Sequence, residues 1–104
     1  PIHPFGHTAL YLAVQQSRYA VVRYLLKRGA RLSVEDALLG TGLLHIAACK
    51  GDMAMAGILI AAGIDVFHAG KNGMTARDIA IRNGHSALAS TLLKVMEHHA
   101  RYAV

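Results

Sequence analysis

Residues 40–66 read GTGLLHIAACKGDMAMAGILIAAGIDV. Gly40, Thr41 and Gly42 open the stretch with a turn. Leu43 to Lys50 is apolar and helix-forming, and Gly51 stops it. Asp52 then stands where a carboxylate can accept the unpaired backbone N–H groups of a new first turn. From Met53 to Ala62 nearly every residue is apolar, and Gly63 supplies the left-handed conformation that closes a helix without strain. The stretch thus reads as two antiparallel helices of about 8–10 residues, and isolated helices that short are marginal in water. They need neighbours on which to bury their apolar faces.

Those neighbours are written in the same chain. Leu10 and Leu44 are 34 residues apart, as are Ala13 and Ala47, and Gly29 and Gly63. Gly40 and Gly73 are 33 apart, as are Ile46 and Ile79, Ala47 and Ala80, and Gly51 and Gly84. Three copies begin GHTALYLAV (from Gly6), GTGLLHIAA (from Gly40) and GMTARDIAI (from Gly73), and they span about 4–36, 37–69 and 70–104. A fixed period of this size marks stacked helix pairs, each leaning on the next.

The three openings resemble the ankyrin-repeat family, whose pattern runs G-x-T-P-L-H-L-A-A, then G-H, then V-V-x-L-L-L-x-x-G-A-D-V-N. The resemblance covers Gly6 to Met96. Thr8-Ala9-Leu10-Tyr11, Gly42-Leu43-Leu44-His45 and Thr75-Ala76-Arg77-Asp78 stand where the family has T-P-L-H. Only His45 keeps the histidine, and no copy keeps the proline. The resemblance implies an all-α solenoid of stacked antiparallel helix pairs, with β-turn fingers at the junctions and a concave binding face.

Composition agrees with buried short helices. Hydrophobic residues make up 54% of the 104, yet glycines recur through them and no run approaches the roughly 20 apolar residues of a membrane span. No signal or transit peptide is visible. The single cysteine, Cys49, can form no internal disulfide, which favours a reducing, intracellular setting, cytoplasmic or nuclear. The net charge of +5 points towards acidic partners.

Along the chain, Thr8 is expected to cap a first helix from Ala9 to Gln16, with Leu10, Leu12 and Ala13 facing the core. Ser17 takes the place of the glycine between the helices. Val21, Val22, Leu25 and Leu26 form the apolar stripe of the second helix, Tyr19 to Lys27, and Ala20, Arg23 and Lys27 its outer face. Fingers are expected at Val34–Leu39 and Phe67–Asn72. In the third copy Thr75 and Asp78 make a reciprocal capping box. Arg77 replaces a packing leucine, and Met96 stands where Gly29 and Gly63 stand earlier. Without that glycine the last helix is expected to run on through Glu97, His98 and His99 towards Tyr102, as a C-terminal cap. Leu10, Leu12, Val14, Val22 and Leu26 look ready to receive an earlier repeat or domain.

Four constellations bear on function. His45 and Cys49, four apart on one helix, could pair as nucleophile and base or as half a metal site. The resemblance instead makes His45 a structural histidine that hydrogen-bonds turn backbone. The adjacent His98 and His99 point in different directions and have no second ligand pair, and no phosphate loop or paired carboxylates are present, so neither catalysis, metal nor cofactor is expected. Arg18, Arg23, Lys27, Arg28 and Arg31 give five cations in fourteen residues with no acid among them. They form either a patch for nucleic acid or an acidic ligand, or a solvated outer face. Ala54, Gly57 and Ala61 make a small-residue stripe on the outer, convex side, open to close approach by another domain or to drift.

The main functional expectation is a non-catalytic protein–protein interaction module within a larger protein. The resemblance places its partner-binding residues on the concave face. They begin with Phe5 and His7, then Gln15 and Gln16. Leu38, Leu39 and Thr41 follow, then Cys49 and Lys50. Lys71, Asn72 and Met74 come next, with Arg82 and Asn83 last. Leu38, Leu39 and Met74 are the expected apolar anchors, unless they only pack one finger on another.

Overall fold

The computed structural model describes residues 5–30, 32, 42–70 and 72–102, with side chains from residue 9 to residue 99. Six helices follow one another: α1 (Phe5–Gln15), α2 (Tyr19–Lys27), α3 (Leu43–Lys50), α4 (Met53–Ala61), α5 (Ala76–Arg82) and α6 (Ser86–Tyr102). Each odd helix packs on the even helix after it. α3 also packs between α1 and α5, and α2 lies against α4, so the three pairs stack in one direction.

Local chemistry explains most of the boundaries. The Asp52 carboxylate accepts from the Met55 N–H at 3.1 Å and starts α4. Thr75 and Asp78 cap α5 reciprocally, at 3.0 Å from the Thr75 N–H to the Asp78 carboxylate and 3.3 Å from the Asp78 N–H to Thr75 Oγ1. Gly51 and Gly63 take φ of 69° and 94° and end α3 and the turn after α4. The absence of a glycine at Met96 has the expected result: α6 runs 17 residues, through Glu97, His98 and His99.

Between α1 and α2 the left-handed position falls to Ser17, at φ 55°. Its counterparts are Gly51 and Gly84, at 69° and 78°. A non-glycine residue in that region is strained by about 1 kcal/mol or more. Here the Ser17 hydroxyl donates to Asp52 Oδ2 at 2.9 Å, which ties the strained residue to the next copy.

The core is continuous through the stack. Leu10, Val14 and Val22 are buried in the first copy, Leu43, Met55 and Leu59 in the second, and Leu88 and Leu92 in the third. The outer face of α2 is as expected, with Ala20, Arg23 and Lys27 exposed.

Three expectations are corrected. α1 begins at Phe5, four residues before Ala9, so Thr8 lies inside the helix and does not cap it. Threonine within a helix is only about 0.7 kcal/mol worse than alanine, and nothing from Thr8 to Gln15 opposes helix. Leu12 and Val21 are not core residues, being 47% and 41% exposed. Their counterparts in the second copy, Ile46 and Met55, are 9% and 0% exposed because the first copy lies on them. Leu10, Val14 and Val22, expected to await an earlier neighbour, are already covered within the stack, while Leu12, Val21 and Tyr24 are exposed.

Candidate functional site

The inner helices α1, α3 and α5 end one beside the next, and their last residues form a row. Gln15 and Gln16 stand at one end, Cys49 and Lys50 in the middle, and Arg82 and Asn83 at the other; all six are exposed. Six of the fourteen expected concave-face residues thus lie at the ends of the inner helices. Lys50 is engaged, however. Its ammonium donates to the Gln15 carbonyl and to Ser17 Oγ, each at 2.6 Å, and so joins the first copy to the second. Asn83 Nδ2 donates to the Ile79 carbonyl at 2.8 Å, which closes the end of α5.

Beside this row the finger residues Asn72 and Met74 serve local structure. Asn72 Oδ1 accepts from the Met74 N–H at 3.0 Å, and Gly73 turns the chain at φ 79°. Met74 is half-buried, and its sulfur lies 3.5 Å from Arg82 Nη1. Its carbonyl is the partner of His45 at 2.9 Å. As an anchor, Met74 would present only part of its side chain.

His45 is 3% exposed and both its ring nitrogens are in use. Nδ1 accepts from the Gly42 N–H at 2.9 Å, so Nε2 carries the proton and donates to the Met74 carbonyl. The His68 ring stands edge-on to it at 5.3 Å. His45 thus pins the start of α3 to the finger before α5. It cannot also act as a base for Cys49, which is exposed on the next turn. His98 and His99 have ring centroids 6.1 Å apart on α6, and no group of three possible metal ligands occurs among the described residues.

Two further residues, Asp52 and His85, make bonds across the junctions that spacing alone did not signal, although the cap at Asp52 was expected. Asp52 accepts from Ser17 Oγ and, at 2.9 Å, from the Tyr19 hydroxyl, so one carboxylate caps α4 and holds the first copy. Burial opposes its ionisation, but the Met55 N–H, the Tyr19 and Ser17 hydroxyls and the Lys50 charge together lower its pKa below the ordinary value. The same hydrogen bond to Asp52, then burial, raises the pKa of Tyr19. His85, at the start of α6, bonds the Cys49 carbonyl through Nε2 at 3.1 Å.

Family models match these copies. The ankyrin repeat model covers residues 5–37, and the model for ankyrin repeats in many copies covers residues 44–93. The chain belongs to the ankyrin-repeat family. Ankyrin repeats are in general modules that bind other proteins, and the family is typically non-catalytic. Among curated proteins, the potassium channel AKT3 of Oryza sativa subsp. japonica is 30% identical over 100 residues. The match takes in 94% of this chain and 11% of the channel's length. No helix among the described residues is long and apolar enough to cross a membrane.

The remaining candidates are placed as follows on the ankyrin stack. Leu38, Leu39, Thr41, Lys71 and Arg31 lie outside the described residues, as do the side chains of Phe5 and His7, whose backbone belongs to α1. Arg18, Arg23, Lys27 and Arg28 are all exposed on or beside α2. Arg18 Nε donates to Gln16 Oε1 at 2.9 Å, and the Arg28 guanidinium lies 5.7 Å from the centroid of Tyr24. Ala54, Gly57 and Ala61 are exposed together on α4. A Cβ built on Gly57 would meet nothing within 4 Å, so no packing among the described residues requires a glycine there.

Proposed function

We propose that this ankyrin domain is a non-catalytic interaction module that takes a partner protein on its concave face. The observation that carries the reading is the exposed row at the ends of the inner helices, Gln15 and Gln16, Cys49, and Arg82 with Asn83. Stacking of α1 on α3 and of α3 on α5 supports such a row, since it sets the helix ends side by side. Leu38, Leu39 and Met74 on the fingers would add apolar anchors, with Phe5, His7, Thr41 and Lys71 at the margins. Likeness to one stretch of a much longer channel protein fits a module working inside a larger chain. We place it within the cell, cytoplasmic or nuclear, on the single Cys49.

Site-specific crosslinking tests this. A photoreactive residue at Gln16 or Arg82 should trap the partner, and one at Ala54 or Ala61 should not. Leu39→Asp and Met74→Asp should abolish capture while helical content stays unchanged. Adducts from Ala54 and Ala61 alone would sink the reading and favour a domain packed on the convex face.

A second reading rests on the cations of α2. Arg18, Arg23, Lys27 and Arg28 are exposed with no acid on the helix, and Tyr24 offers a 58% exposed ring beside Arg28. Such a surface suits nucleic acid or another acidic ligand. Binding through phosphates would weaken steeply as salt rises. Capture on an apolar groove would not.

A further inference from the structure

The order of residues along α2 decides how its positive charge is displayed. No acid occurs from Arg18 to Val34. α2 packs on α1 and lies against α4, with Val22 buried beneath it. A helix turns about 100° per residue. The residues away from Val22 therefore follow one another round the surface as Arg23, Lys27, Ala20, Tyr24, Arg28 and Val21. All six are exposed. Asp52, which meets the start of α2, is engaged by Ser17 and the Tyr19 hydroxyl.

The band is not uniformly charged. Ala20 is short, and Tyr24 and Val21 are 58% and 41% exposed. Cations stand on both sides of the Tyr24 ring, Arg23 and Lys27 on one and Arg28 on the other. The surface thus offers an amphipathic ring and a small aliphatic side chain between positive charges.

Three kinds of anionic partner could meet those charges, and the rest of the band separates them. Single-stranded nucleic acid stacks its bases on open aromatic faces. Here the Arg28 guanidinium already lies over one face of Tyr24, 5.7 Å from its centroid, and a sugar–phosphate chain has no apolar surface for Val21. An acidic peptide gains little from ion pairs left open to water, and the band lies on the outer side of a helix, with no cleft to enclose them. A bilayer presents many anionic headgroups at once to a surface that need not be concave. Its interface also takes tyrosine rings and aliphatic side chains beside the charges.

We propose that this band of α2 docks on an anionic lipid bilayer. Arg23, Lys27 and Arg28 meet the headgroups, and Tyr24 and Val21 enter the interface. The proposal rests on the second reading above, that the cations of α2 are a binding surface, and is independent of the concave row.

The test is co-sedimentation of the intact chain with two kinds of vesicle. One is phosphatidylcholine alone; the other is equal parts phosphatidylcholine and phosphatidylserine. Binding should require phosphatidylserine and fade as salt rises. Arg23→Gln with Lys27→Gln should weaken it about twenty-fivefold, or about fivefold for each cation near the surface. Tyr24→Ser should weaken it at unchanged charge, which a purely electrostatic contact would not show. Lys94→Gln removes an exposed cation from the third copy and should leave binding unchanged. Spin-labelled lipid should broaden the amide resonances of Ala20, Tyr24 and Arg28 and spare those of Arg82 and Asn83. Absent binding, equal binding to both vesicles, or broadening centred on Arg82 and Asn83 would overturn the proposal. So would parent-like binding by the double variant or by Tyr24→Ser. A single-stranded oligonucleotide and polyglutamate are the parallel arms. If either binds through Arg23 and Lys27 while the vesicles do not, the bilayer is overturned and the second reading stands with that ligand. If neither they nor the vesicles bind, the second reading falls as well.

Discussion

Gly51 is fixed in two independent ways. Its φ of 69° lies where a side chain is strained, and a Cβ there would stand 2.5–2.8 Å from the His85 ring. Gly51→Ala should therefore destabilise by about 1–3 kcal/mol, read from urea unfolding. Part of that cost is local backbone and part is the neighbouring ring, so pairing the change with His85→Ala should recover the second part. Full additivity of the two changes would mean that the ring does not matter. Gly57 is the opposite case. It sits inside α4 with open space around it, so Gly57→Ala should stabilise by up to about 1 kcal/mol. A loss of stability there would show that α4 is bent or packed in a way that its exposed surface does not reveal.

At the scale of helices, the joint between α2 and α4 is a polar one and so depends on pH. Asp52 has a lowered pKa in the folded chain, so its stabilising contribution is complete above the ordinary carboxylate value of about 3.9. It is lost as pH falls through the folded value. Tyr19 has a raised pKa, so its contribution holds below about 10 and is lost as pH rises through the folded value. Asp52→Asn keeps a capping oxygen but removes the charge. Its urea midpoint should fall less than the parent's between pH 5 and pH 2, about the range in which a lowered carboxylate protonates. Parallel curves would show that other groups carry the acid sensitivity. The length of α6 is likewise a matter of one residue: Met96→Gly should restore a stop, and the amides of 97–102 should then move towards random-coil shifts. What the sequence disclosed at this scale was whatever is local. The caps at Asp52 and at Thr75 with Asp78, the stops at Gly51 and Gly63, and the long last helix are each decided within four residues. The start of α1 was misread because Thr8 matches a capping position while also tolerating a helix. The bonds from Ser17 and Tyr19 to Asp52 were invisible, since their partners lie 35 and 33 residues apart and only stacking brings them together. For the same reason Leu12 looked like core. Its counterpart Ile46 is buried by a neighbouring copy, and burial of that kind is a property of the stack.

Across the whole molecule, stability is shared through contacts between adjacent copies. The second copy touches both others, through Lys50 and Asp52 on one side and His45 and Cys49 on the other. Among the described residues it also holds the largest share of fully buried side chains, Leu43, Met55 and Leu59 among them. The first copy can open and leave the second and third still paired. The second cannot open without separating its neighbours, and a lone helix pair buries too little to persist. Two cavities of the same chemistry should therefore act differently. Leu10→Ala and Leu59→Ala each empty a site that is 0% exposed, and each should cost about 2–5 kcal/mol where it acts. Native-state hydrogen exchange separates them. Leu10→Ala should speed exchange in α1 and α2 and leave α5 and α6 protected. Leu59→Ala should speed it in all six helices together. If both variants raise exchange in α5 and α6 equally, the chain unfolds as one unit and the copies have no separate stability.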